Sequence, residues 1–175
     1  MKKNPPIISR NVVEFVTVAF EFCNFVEQAE HHRKDAFIDT MLKLLPLLYL
    51  KAEMLPEFEV LGEEEPETFV TEETYEVLRI TLNNIMGDGD DYLDVFLQDM
   101  KYSDQPIRRS VSEDVSDIYQ SVKDFVSIYK LGLTETMHDA IAVCQAQYRE
   151  YWGQTLVNTL RALHEVKYSM NDNDD

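Results

Sequence analysis

Between Asn11 and Glu30 the polar residues Glu14, Thr17, Glu21, Asn24 and Gln28 recur every three or four positions, and nearly everything between them is apolar. That spacing puts the polar groups on one narrow stripe and predicts a helix enclosed over most of its circumference, with Phe22 opposite the stripe. Asn11, followed three residues later by Glu14, is its expected N-cap. A second helix is predicted from Arg33 to Leu45, resuming from Leu47 to Met54, because Pro46 removes a backbone donor and crowds the preceding turn. Tyr75, Leu78, Leu82 and Ile85 space out a third helix from Thr71 to Met86, stopped by Gly87 and Gly89. Asp91 to Met100 reads as a short helix. Ser110 and Glu113 form a capping box for a helix carrying Val111, Val115, Ile118, Val122, Phe125 and Tyr129 on one side and ending at Lys130-Leu131-Gly132. From Thr134 to Ser169 a last helix, about 50 Å long at roughly 1.5 Å per residue, carries Met137, Ile141, Cys144, Tyr148, Trp152, Leu156, Leu160 and Leu163 on one side. Gly153 in its interior costs about 1 kcal/mol relative to Ala, which predicts a close helix approach or a slight kink there.

No segment sustains a period-two alternation bounded by turn residues, and no internal repeat is visible. The expected fold is therefore all-α: a single-domain bundle of about five main helices over residues 1–175, mostly antiparallel, with a long C-terminal helix. Residues 1–8 and 170–175 are expected to be flexible tails and residues 57–70 an acidic loop. The length of 175 residues suffices for one well-formed core, and that number of helices can enclose the first one within a monomer.

Charge changes this picture regionally. Residues 57–99 hold fourteen of the thirty-three acidic residues against one base, Arg79, and so supply −13 of the formal −17. A solvated acidic patch repels nucleic acid and anionic membrane, leaving basic partners, cations or solubility as its uses. Cys23 and Cys144 sit in helical patterns far apart in sequence, which predicts reduced, buried thiols. The longest apolar run, Leu44 to Leu50, is far short of a membrane span, and the start of the chain has no signal-peptide core, so a soluble cytoplasmic protein is expected.

Four patterns bear on chemistry. Glu73-x-x-Glu76 followed by Asp91-x-x-Asp94 puts paired carboxylates on two consecutive predicted helices, an array that can hold Mg²⁺ and resembles the one used by all-helical nucleotide pyrophosphohydrolases. It departs from that array in having Asp91 for a Glu and no base for phosphates beyond Arg79. Glu135-Thr-Met-His138 has the spacing of a carboxylate-bridged metal motif, but such sites need a second copy and none exists. Asp88-Gly-Asp90-Asp91 fails the calcium-loop register, with Tyr92 and Leu93 at ligand and glycine positions. Gly-rich phosphate loops and nucleophile motifs are absent, and Arg108-Arg109 and His31-His32-Arg33-Lys34 read as helix-end or loop charges. Around Trp152, Arg161 and His164 the aromatic and charged residues form a candidate interaction surface, with bundle packing as the competing reading.

Three segments, Asn11-Val-Val-Glu-Phe-Val-Thr-Val-Ala with Leu44-Leu-Pro-Leu-Leu-Tyr-Leu-Lys-Ala, Asp91-Tyr-Leu-Asp-Val-Phe, and Trp152-Gly-Gln-Thr-Leu-Val-Asn-Thr-Leu-Arg-Ala-Leu-His164, resemble an uncharacterised bacterial family, domain of unknown function five-thousand-sixty-three. The likeness covers nearly the whole chain and implies a small helical cytoplasmic protein; it carries no catalytic residues over. The expected role is non-enzymatic: an interaction or regulatory protein presenting its acidic face to a protein partner, basic in character, with no catalytic residues and no cofactor. The alternative is a Mg²⁺-dependent pyrophosphohydrolase-like enzyme using Glu73, Glu76, Asp91 and Asp94.

Overall fold

The computed structural model describes residues 3–94 and 106–169. Helix α1 spans Arg10–Glu27, α2 Lys34–Glu53 and α3 Glu72–Met86, with short 3₁₀ turns at Ala29–His31 and Gly87–Gly89. A two-stranded antiparallel hairpin, β1 Asp91–Asp94 and β2 Ile107–Ser110, leads into α4 Val111–Leu131. Helix α5, Thr134–Gln147, continues through a π turn at Tyr148–Trp152 into α6, Gly153–Ser169. The fold is an all-α bundle with a minimal hairpin at one end. Among the described residues no helix is long and apolar enough to cross a membrane.

The core follows the apolar stripes. Helix α1 packs on α2 and α4, and Val12, Phe15, Ala19, Phe22 and Val26 are buried against Phe37, Met41, Leu45 and Leu48 of α2 and Ile118, Val122 and Phe125 of α4. Phe22 is 0% exposed within a single chain, so no second subunit is needed to cover it. The polar stripe faces out, and its Glu14 joins α1 to α2 by accepting from Lys51 at 2.7 Å. That hydrogen bond, with a second from Arg10, holds the Glu14 carboxyl down at about 2.

Local signals held in several places. Thr71 caps α3 in a reciprocal box with Thr74, Gly87 ends it at φ 54°, and Gly132 ends α4 in the left-handed region at φ 76°. Four expectations need correction. The N-cap of α1 is Ser9, and Asn11 lies inside the helix. Helix α2 runs on through Pro46, whose position is exposed, so water can satisfy the carbonyl that a proline cannot reach. Residues 91–94 form a strand; residues 95–100 of the expected short helix lie outside the described residues. The atoms that crowd Gly153 belong to its own helix, since a Cβ there would stand 2.7 Å from the Tyr148 carbonyl oxygen. In the π turn that carbonyl accepts the Gly153 N–H, five residues on.

Residues 3–8, expected to be a tail, are tied down. Ile7 is buried, and the Asn4 side chain both donates to the Glu59 carbonyl at 2.7 Å and accepts its N–H at 2.9 Å. The expected tail at 170–175 lies outside the described residues.

Candidate functional site

Residues 54–71, between α2 and α3, have no regular secondary structure, so their backbone donors must find partners elsewhere. They find side chains on α4 and α5. Phe58 donates its N–H to Gln145 Oε1 at 3.1 Å, and Gln145 Nε2 returns a bond to the Pro56 carbonyl. Leu61 and Gly62 donate to the two oxygens of Asp139 at 2.6 and 2.9 Å. Phe69 and Val70 both donate to Asp124 Oδ1, at 2.7 and 2.8 Å. Gly62 permits this approach, because a Cβ there would lie 2.6 Å from Asp139 Oδ2. Phe58 is buried beside the His138 ring, 5.7 Å between centroids, which gives the loop an apolar anchor.

The consequence is a fixed acidic rim. With the backbone held at Phe58, Leu61 and Gly62 and again at Phe69 and Val70 by side chains from outside the loop, its own Glu57, Glu59, Glu63, Glu64, Glu65 and Glu67 are all exposed, and Val60 and Leu61 are exposed among them. Glu57 meets Arg149 at 3.4 Å; the other five form no ion pair among the described residues. Between this rim and the start of α5 lies a groove of about 600 Å³, lined by Glu63, Glu64, Glu65, Glu67 and Glu135. Pinning like charges side by side in water costs little at exposed sites and produces a local negative potential.

At the hairpin two acids of the same quarter do the opposite: Asp90 and Asp94 turn inward, whereas Glu72, Glu73, Asp88 and Asp91 stay exposed. Asp90 is buried, accepting the Ser112 N–H and hydroxyl at 2.7 and 2.6 Å and the Asn83 amide at 2.7 Å. With Ser110, whose hydroxyl accepts the Glu113 N–H, it caps the start of α4, where an anion also suits the helix dipole. Asp114, one turn into α4, gathers Arg109 of β2 at 3.1 Å, the Tyr92 hydroxyl of β1 and the Thr159 hydroxyl of α6 at 3.2 Å. Burial pushes its carboxyl up to about 6, against the opposing pull of the Tyr92 hydrogen bond and the Arg109 charge. Beside it, Asp117 accepts from Tyr75 and from Tyr151, both at 2.6 Å, tying α3 and the π turn to α4. Burial also drives the Tyr75, Tyr92 and Tyr151 hydroxyls above their ordinary range, so these groups stay protonated and act as donors. Asp114 was visible in principle: it falls on the apolar stripe of α4, three residues after Val111 and four before Ile118.

The four carboxylates proposed for Mg²⁺ are not brought together. The Asp91-x-x-Asp94 spacing shares a face on a helix, but on a strand it points to opposite sides, leaving Asp91 exposed and Asp94 buried. Asp91 pairs with Arg108, Asp94 lies 3.6 Å from Arg109, and Glu76 binds Arg79 at 2.9 Å. Glu73 faces a separate groove against the end of α1. Among the described residues no three His, Cys, Asp or Glu side chains converge as metal ligands would. Arg108 and Arg109, expected as helix-end or loop charges, lie on β2 and reach across the hairpin to Asp91 and Asp94 of β1.

Trp152, Arg161 and His164 also separate. Trp152 is fully buried and donates its indole N–H to the Cys144 carbonyl at 3.1 Å, so it belongs to the core. Arg161 and His164 remain exposed on α6, Arg161 donating to the Leu93 carbonyl at 2.8 Å and His164 lying 4.6 Å from the Tyr168 ring. Cys23 and Cys144 are free and buried, and burial raises both thiols, Cys144 to about 12.

Comparison with known proteins places this architecture. None of the curated proteins compared matches the chain. A crystal structure of protein BF1032 from Bacteroides fragilis is 55% identical and superposes with a TM-score of 0.85, covering 93% of this chain and 96% of that one. The family model described as Domain of unknown function (DUF5063) matches residues 6–169, and the chain belongs to that family.

Proposed function

We propose that the protein is a non-enzymatic interaction or regulatory module whose acidic rim, residues 57–67, engages a basic segment of a protein partner. The observation that supports this reading is the pinning of the loop. Asp139, Gln145 and Asp124 hold its backbone, so the rim needs little ordering when a partner arrives, and preorganisation of that kind lowers the entropic cost of association. Exposed Val60 and Leu61 offer apolar contact beside the charge, as interface centres require. Charge complementarity of this kind raises the association rate and is weakened by salt. Affinity purification from the native host at low salt tests it. A basic partner should be retained at low salt and released as salt rises; capture insensitive to salt contradicts an electrostatic rim.

The hydrolase alternative has less to recommend it. Asp91 and Asp94 point to opposite sides of β1, and Glu76, Asp91 and Asp94 each have an arginine beside them.

A further inference from the structure

On a different face, the C-terminal half of α6, β1, the Gly87–Gly89 turn and the first residue of α2 enclose a groove of about 650 Å³. That volume lies in the range of small-molecule sites. Its apolar wall is Tyr92, Leu93, Ala162 and Val166. Four charges line it without pairing with one another: Lys34 and Arg161, Asp88 and Glu165.

These charges are held apart. Lys34, partly buried, is seated against the glycine turn, where a Cβ on Gly89 would lie 3.2 Å from its Nζ and 3.2 Å from a Val166 methyl. Arg161 and Glu165 have the i, i+4 spacing that ordinarily forms a helical ion pair, yet Arg161 turns instead to the Leu93 carbonyl at 2.8 Å. Asp91, the remaining acid in the wall, is taken by Arg108. Among the described residues, two bases in one groove are thus free of carboxylates, each with an unused acid on the same wall.

A simple anion entering here meets Asp88 and Glu165, and a simple cation meets Lys34 and Arg161. Only a ligand with both signs and an apolar body matches every wall. We propose that this groove binds a small zwitterion of the amino-acid or dipeptide class, its carboxylate toward Lys34 or Arg161, its ammonium toward Glu165 or Asp88, and its side chain against Leu93, Ala162 and Val166. Charge-assisted hydrogen bonds to both ends supply orientation, and the apolar wall selects an aliphatic side chain.

The dipeptide Leu-Leu is the probe, titrated at millimolar concentrations into the full chain with calorimetry and amide chemical shifts as readouts. Saturable binding is expected, with shifts clustered on Gly89, Leu93 and Ala162. Acetylating the amine or amidating the carboxylate should each weaken it by about tenfold or more, as should Lys34→Gln and Glu165→Gln. Both substitutions remove groups without a side-chain partner among the described residues, so the unliganded melting temperature should stay put and the loss can be assigned to the site. Absence of saturable binding overturns the proposal, as does binding that the blocked dipeptides or the Lys34→Gln variant retain in full. Neither result bears on the acidic rim, which lies in the loop between α2 and α3 and packs against α5.

Discussion

The loop at 57–67 and the hairpin region at 88–94 are neighbours within one acidic quarter of the sequence, yet they treat their carboxylates oppositely. In the loop, the N–H groups of Phe58, Leu61 and Gly62 are satisfied by Gln145 and Asp139 from elsewhere, and the glutamates are released to solvent. In the hairpin region Asp90 and Asp94 turn inward, and with Asp114 they hold Ser112, Arg109, Tyr92 and Thr159. Composition treats the two alike; the difference lies in which groups the backbone leaves unsatisfied. Local negative charge is therefore a surface property at one end and a structural fastening at the other.

The reference point for both is the apolar core, where the largest effect belongs. Phe22→Ala should cost about 3 to 5 kcal/mol, because a cavity term adds to the lost transfer energy. Since one chain encloses Phe22, the loss should be independent of protein concentration in denaturant melts; dissociation on dilution would place a second subunit over α1.

Next in size is the fastening itself. Arg109→Met leaves Asp114 buried with no cation and should cost about 3 kcal/mol, the low end for a broken buried pair because the guanidinium side chain is 24% exposed. The same substitution at Arg149, which meets Glu57 at the rim, should cost less than about 1 kcal/mol. Equal losses at the two sites would erase the contrast between fastening and rim.

The sequence showed the helices and their stops because apolar periodicity and glycine caps act locally. It did not show the hairpin, because Asp91-Tyr-Leu-Asp pairs with Ile107-Arg-Arg-Ser across a dozen intervening residues, and the deciding contacts, Asp91 with Arg108 and Asp94 with Arg109, are long-range. The acidic loop was legible as a loop. Its pinning was not, since Asp139 and Gln145 belong to a helix more than seventy residues downstream. Trp152 followed its stripe into the core, as helical spacing indicated, and the π turn had no signal beyond Gly153.

A pH series probes the fastening more finely. Burial holds Asp114 near 6, above its ordinary 3.8, so between those values the folded state binds a proton that the unfolded chain does not. Stability from this group is therefore present below about 3.8 and is lost as pH rises through 6, by an amount on the order of 3 kcal/mol. Glu14, lowered to about 2, acts in the other direction, losing stability as pH falls below its ordinary range. Subtracting the Asp114→Asn profile from the wild type isolates the first effect; superimposable profiles between pH 4 and 7 would remove it.

Smaller still is the π turn. A Gly→Ala change inside a helix ordinarily stabilises by up to about 1 kcal/mol. Gly153→Ala should instead destabilise by about 1 to 2 kcal/mol, because its Cβ would meet the Tyr148 carbonyl at 2.7 Å and the ring at 2.8 Å. A raised melting temperature would mean that the turn reverts to regular helix without loss.

The most direct measurement compares two charge-matched variants in capture from the native host at low salt. One is Glu63→Gln, Glu64→Gln and Glu65→Gln in the rim; the other is Asp172→Asn, Asp174→Asn and Asp175→Asn at the chain's end. Each removes three negative charges, so net charge is held equal. Loss of a basic partner with the rim variant and retention with the other is the predicted result. Equal retention by both, or equal loss from both, would contradict a role for the pinned acidic rim.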